Sequence, residues 1–190
     1  MSLTPNTWQA IMNEHPHLEN FVETGTRYGD TALMMASGYF ASDRVHTIEL
    51  SEELFREAQP KFKGTSIHRY RGDSAVILPA LTFVGATLYY LDAHWWANEE
   101  AASSESDPQG FPLWAELGHI IHIPPSTRGT DVIVVDDVHC FGRKTEMGML
   151  TRWEGVTDVT LLEFMNSLMT PHVWTGKVYG DAFVMWRKDD

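Results

Sequence analysis

Six carboxylates, Glu23, Glu49, Asp73, Asp92, Asp136 and Asp137, each stand at or just past the end of a short apolar run. His94 and His139 follow two residues after Asp92 and Asp137. Carboxylate oxygens are hard ligands suited to magnesium or calcium, and carboxylates crowded together raise one another's pKa until a cation intervenes. A neutral imidazole beside them can ligate a metal or accept a proton near pH 7.

The first of these runs, "FVETGTRYGDT", carries Glu23, then Gly25, Gly29 and Thr31. Glycines there let a backbone approach a ligand closely and turn into a helix whose first amides favour an anion. The spacing is not that of the dinucleotide fingerprint, and an ordinary strand-to-helix turn reads equally well from this stretch alone. Glu49 closes the next run about twenty residues on, where an acidic side chain can accept both hydrogen bonds of a ribose diol. The third run ends in Gly72, Asp73 and Ser74, which offer partners to an adenine edge. Simpler roles compete: one of Asp136 and Asp137 caps the following turn, and the histidines are structural or exposed. The pair His119 and His122, one helical turn apart with Glu116, reads as helix surface rather than a zinc site.

Elements must bring these groups together. The runs "NFVETG", "RVHTIEL", "SIHRYRGD", "TLYYLDA" and "DVIVVDDV" read as strands, alternating with helix-like segments as parallel strands joined by crossovers do. Ligands of such open sheets bind outside the carboxyl ends of the strands, which gathers the six carboxylates along one edge. "SEELFREAQPKF" has a helix N-terminus in Ser51, Glu52 and Glu53, and "PLWAELGHII" and "LLEFMNSLM" read as further helices. "HVWTGKVYGDAFVMWRK" reads as a hairpin turning at Gly180 and Asp181. The expected organisation is one domain over 1–190, with a helical segment in 1–20 and an inserted lid loop over 96–112 flanked by Trp95, Trp96, Phe111 and Trp114.

The ordered series "ETGTRYGDT", "TIEL", "GDS", "LDAHW" and "DDVHCFG" resembles the motifs of class I S-adenosylmethionine-dependent methyltransferases, most closely the cation-dependent, catechol-type O-methyltransferases. The resemblance implies a Rossmann-like, doubly wound α/β fold with helices on both faces of a seven-stranded, mostly parallel sheet whose last strand is antiparallel. It implies that Glu23 and the backbone of Thr24, Gly25 and Thr26 face the methionine part of the cofactor, with Gly29 turning the chain and Thr31 at the carboxylate. Glu49 and Leu50 then take the ribose, and Gly72, Asp73 and Ser74 the adenine, with Asp92 bordering the cofactor. Asp92, Asp136 and Asp137 take the places of the residues that hold Mg2+ or another divalent cation, the third being asparagine in that family. Trp95 stands where that family has a lysine base, so His94 or His139, together with Asp92, becomes the catalytic candidate. Arg27 and Tyr28 depart from the small residues some relatives carry.

Composition narrows the partners. A net charge of -12 disfavours nucleic acid and acidic membranes, since both call for clustered lysine and arginine. The only cysteine, Cys140, allows no internal disulfide, and neither a signal segment nor an apolar span is apparent, so a cytoplasmic protein is expected. The expected activity is methyl transfer from S-adenosyl-L-methionine to a hydroxyl of a small acceptor, with a homodimer left open. The alternatives are a metal-dependent hydrolase or hydroxylase on the same fold, and a non-catalytic nucleoside-binding domain.

Overall fold

Short apolar strands buried on both faces need helices on both faces, and the chain supplies them. The computed structural model describes residues 3–93, 112–122, 131–140, 142, 155–167 and 174–187. Helix α1 (Pro5–Glu14) starts on a Thr4 cap and a first-position proline, and it buries Trp8 and Ile11 on one face. It occupies only part of the N-terminal 1–20 segment, because Asn20 already belongs to the sheet.

Seven strands follow: β1 (Asn20–Thr24), β2 (Val45–Glu49), β3 (His68–Arg71), β4 (Thr87–Leu91), β5 (Val132–Val135), β6 (Trp174–Tyr179) and β7 (Ala182–Arg187). Their order across the sheet is β3-β2-β1-β4-β5-β7-β6. The first five pair in parallel, and β7 pairs antiparallel with both β5 and β6, so the C-terminal hairpin closes the sheet as expected. The reversal of strand order lies between β1 and β4, where open α/β sheets place their ligands.

Alternation along the strands divides the core into two layers. Phe21, Val45, Leu88, Tyr90, Val132 and Val134 face α1, α2 (Asp30–Gly38) and the α3 segment (Glu52–Ala58). Val22, Ile48, Tyr89, Leu91, Ile133 and Val135 face α4 (Ser74–Ile77), α5 (Leu113–His122) and α6 (Asp158–Ser167). α3 begins on the Ser51 cap, whose hydroxyl accepts from Leu54 N, and it tightens into a 3-10 turn at Gln59–Phe62, where Pro60 removes an amide. No helix among the described residues is long and apolar enough to cross a membrane.

Candidate functional site

The strand period of two decides which face each terminal carboxylate takes. Glu23 continues the side of Phe21, Glu49 that of Val45 and Thr47, Asp92 that of Leu88 and Tyr90, and Asp136 that of Val132 and Val134. Leu91 pairs with Val135, so Asp92 and Asp136 stand side by side immediately beyond. Four carboxylates thus meet at the carboxyl edge of β2, β1, β4 and β5 as the sequence spacing predicts.

Glu23 is 2 % exposed, and burial pushes its carboxyl well above the ordinary range. Opposing that, Thr47 Oγ1 donates to Glu23 Oε2 at 2.5 Å, and Thr26 Oγ1 lies 2.5 Å from Thr47 Oγ1, so the hydroxyls form a chain ending on the carboxyl. The Thr31 hydroxyl, buried in the first turn of α2, also reaches Glu23. Thr47 is a site residue that motif reading misses; the signal is its place between Val45 and Glu49 on the face that Glu23 shares.

Glu49 Oε2 accepts from the amide of Arg27 at 2.7 Å and Oε1 from that of Ser51 at 2.9 Å. Two backbone donors, one from each flanking loop, fix the carboxylate's orientation. Arg27 takes a left-handed φ of 47° to make its bond, and its guanidinium stacks over the exposed Tyr28 ring. These two residues therefore shape the loop instead of merely meeting solvent.

Gly25 has φ 86°, but its neighbour is the protein itself: a Cβ there would lie 2.6 Å from the carbonyl oxygen of Asp92. The amides of Gly25 and Thr26 both donate to Ile48 O, at 2.9 and 3.1 Å. The glycine is required because the ends of β1 and β4 press together. Gly29, with φ 78°, is the cap of α2 and would drive a Cβ into the Phe62 ring at 2.4 Å. Asp73 caps α4, accepting from Ala75 N at 3.0 Å, and Ser74 is buried behind it. Leu50 follows β2 directly and Gly72 donates its amide to Glu49 O at 2.8 Å, which ties the second and third loops together.

At β4 and β5 the structure adds Tyr90. Its hydroxyl donates to Asp136 Oδ2 and lies 3.3 Å from Asp92 Oδ2, while Trp8 of α1 packs edge-on against the ring at 5.1 Å. Burial and the charge of Asp92 push Asp136 up to about 7 despite the Tyr90 bond. Asp136 Oδ1 is buried without a hydrogen-bond partner, the state a cation or a further donor would relieve.

Asp137 does not join that pair in a three-carboxylate group. It adopts a left-handed φ of 59°, which turns it toward His139 and the hairpin residue Asp181. Asp137, His139 and Asp181 offer ligand atoms within 4.8 Å of one another, a grouping the sequence analysis did not contain because Asp181 is remote in sequence. His139 Nδ1 lies 2.7 Å from Asp181 Oδ2, its amide donates to Asp181 Oδ1 at 2.9 Å, and its Nε2 lies 3.4 Å from the buried Cys140 Sγ. His94, Trp95, Trp96, Phe111 and all of the proposed lid save Pro112 lie outside the described residues.

The helix-surface reading holds for His122, which is exposed, and fails for Glu116. Glu116 is 1 % exposed, because positions 113, 116, 117 and 120 form one stripe of α5 and the other three are Leu113, Leu117 and Ile120. That stripe was the available signal.

No protein-family model and no curated protein matches the chain. Solved structures do. A methyltransferase of Podospora anserina with S-adenosylhomocysteine bound matches with a TM-score of 0.66 at 17 % identity, over 100 % of this chain and 80 % of that one. A Staphylococcus aureus structure described as a caffeoyl-CoA O-methyltransferase gives 0.59 at 14 %, over 100 % and 85 %. The O-methyltransferase of tomaymycin synthesis from Streptomyces achromogenes, with S-adenosylmethionine bound, gives 0.56 at 17 %, over 100 % and 82 %. At such identities the likeness establishes the fold, and that fold is the class I methyltransferase fold the motif series implies.

Proposed function

We propose that the chain is an S-adenosylmethionine-dependent methyltransferase that methylates a hydroxyl of a small molecule with the help of a divalent cation. The observation that carries this reading is the gathering of acidic side chains at the strand ends: Glu23, Glu49, Asp92 and Asp136 meet beside the strand-order reversal of a methyltransferase fold. A ligand there must bring donors or positive charge, and S-adenosylmethionine brings a ribose diol, an ammonium and a sulfonium. Glu49, held by its two amides, takes the diol, and Asp73 and Ser74 border the base. Thr26, Thr47 and Thr31 hold Glu23 beside the methionine part.

Asp136, with its bare buried oxygen, and Asp92 fit a cation, as do Asp137, His139 and Asp181. A bound divalent cation lowers the pKa of a hydroxyl that it ligates. The chain's own contribution is to position the acceptor in line with the methyl group and to receive one proton, for which His139, fixed through Nδ1 by Asp181, is the described candidate. The acceptor is read as a neutral small molecule, in keeping with the acidic edge.

Calorimetry with S-adenosylhomocysteine tests the cofactor, and transfer of labelled methyl to a panel of vicinal diols and catechols, with and without chelator, tests the reaction. Binding of the nucleoside followed by cation-dependent turnover is expected. Binding without transfer to any hydroxyl would point to a nucleoside-binding domain. The histidine in the Asp137–His139–Asp181 group keeps a metal-dependent hydrolase or hydroxylase as the second reading. Cation-dependent turnover without S-adenosylmethionine would favour it.

A further inference from the structure

Two polar atoms at the strand edge are buried and unsatisfied on the side opposite Glu23. Thr24 Oγ1 ends β1 and Glu116 Oε1 reaches the same place from α5; neither makes a hydrogen bond of regular geometry, although the Thr24 and Ser74 hydroxyls approach the Glu116 carboxyl closely enough to oppose the effect of its burial. Both residues are at most 1 % exposed. The Ser74 and Thr24 hydroxyls face the Glu116 carboxyl, and Asp73 from the cap of α4 and Asp92 from the end of β4 act on it electrostatically. Burial outweighs what the two hydroxyls return to this carboxyl: an apolar residue at 116 would complete the Leu113–Leu117–Ile120 stripe, whereas a buried carboxyl without full partners carries a desolvation penalty. Residues that weaken the fold are characteristic of ligand sites.

We propose that Glu116 and Thr24 form an acceptor pair for an N–H-bearing group of the bound nucleoside cofactor, making Glu116 a cofactor-specificity residue. The inference rests on the cofactor reading above. An N–H donor is the chemistry that suits the pair: the O–H donors of the cofactor are the ribose diol, which Glu49 takes, and because Asp73 and Asp92 already make the surroundings negative, a positively polarised donor would favour the ionised, accepting form of Glu116. Two groups of S-adenosylmethionine carry it. The exocyclic amine of the base would come from the Ser74 and Asp73 side, and the ammonium of the amino-acid part from the Thr24 and Asp92 side.

Thermal unfolding and calorimetry on the full chain, with Glu116→Leu, Glu116→Gln and Thr24→Val, test this pair. Without cofactor, Glu116→Leu should unfold at a higher temperature than the parent, since it removes a buried unsatisfied group. Its affinity for S-adenosylhomocysteine should fall by between about ten- and a hundredfold, the range for losing a charged hydrogen bond. Glu116→Gln keeps one acceptor oxygen and should fall between the two, and Thr24→Val should lose affinity without losing stability. Two analogues identify the donor. If the Glu116→Leu loss persists with 5′-methylthioadenosine and vanishes with S-inosylhomocysteine, the base amine is the partner; the reverse assigns the ammonium.

A Glu116→Leu variant that binds S-adenosylhomocysteine as tightly as the parent would overturn the pair, as would one that unfolds earlier, since the carboxyl would then belong to the fold. Should Glu116→Leu fail to fold, unchanged affinity in Glu116→Gln and Thr24→Val together decides against the proposal. Failure of the parent itself to bind S-adenosylhomocysteine would overturn the cofactor reading and this inference with it.

Discussion

At the scale of single residues, Gly25 and Glu49 separate two meanings of a motif position. Both belong to the motif series, yet Gly25 answers to the carbonyl of Asp92, whereas Glu49 has its carboxylate held by the amides of Arg27 and Ser51. Glu49→Ala is therefore expected to weaken S-adenosylhomocysteine binding by about 1–3 kcal/mol, the loss typical of charged hydrogen bonds, beyond whatever stability it costs by freeing the two amides. Gly25→Ala should act on the fold, since the methyl group meets backbone and the φ disfavours any side chain; its melting temperature should drop with or without ligand. A Gly25→Ala protein with parental stability and weakened binding would return the glycine to a purely ligand-facing role. Tyr90 gives a third test. Tyr90→Phe removes the hydroxyl donor of Asp136 and leaves it the Asp137 amide, so the variant should lose about 1–3 kcal/mol of stability in urea unfolding at pH 8, where Asp136 is ionised.

At the scale of elements, what could be read from the sequence was what strands impose. An apolar run that ends on an acid fixes where that acid lies once the run is a parallel strand, and Glu23, Glu49, Asp92 and Asp136 lie where that argument puts them. The β7 hairpin was legible from Gly180 and Asp181 between β-rich runs. Backbone turns were not. The left-handed residue at 137 separates two adjacent aspartates that spacing alone treats as a pair, and Asp181 joins the site only because β7 runs back beside β5. Tyr90 and Glu116 were hidden for opposite reasons: an aromatic in a strand reads as core, and a glutamate in a helix reads as surface. This division bears on the cation. If Asp92 and Asp136 hold it, Asp92→Asn should weaken Mn2+ binding, as read by calorimetry or electron paramagnetic resonance, while Asp181→Asn leaves it intact. If the hairpin group holds it, Asp181→Asn and His139→Ala should weaken binding and Asp92→Asn should spare it. Should His139 be the base instead, His139→Ala should retain the metal and lose roughly a hundredfold or more in rate.

At the scale of the whole molecule, the buried carboxyls make stability a function of pH with a definite sign. Burial pushes Glu116 and Asp136 up to about 7 and Glu23 well above its ordinary value, so the folded chain keeps protons that the unfolded chain has released. Folded protein then binds the extra protons from about pH 4 upward, and that contribution to stability is lost as pH rises through the folded pKa values. His46, lowered to about 4, and His15 and His119, also lowered by burial, work the other way, since their unfolded forms take up protons below about 6.5. Above that pH the histidines are neutral in both states and the carboxyls act alone. With chelator present and no cofactor, the melting temperature should therefore fall between pH 6.5 and 8. Glu116→Gln and Asp136→Asn should each flatten the slope, because neither side chain titrates. A divalent cation should bind more tightly across the same interval, as the carboxylates it needs become ionised, and so oppose the loss. A melting temperature that stays level or rises from pH 6.5 to 8 in the chelated protein would mean that these carboxyls are already ionised in the folded chain, and that burial at the strand ends does not hold their protons.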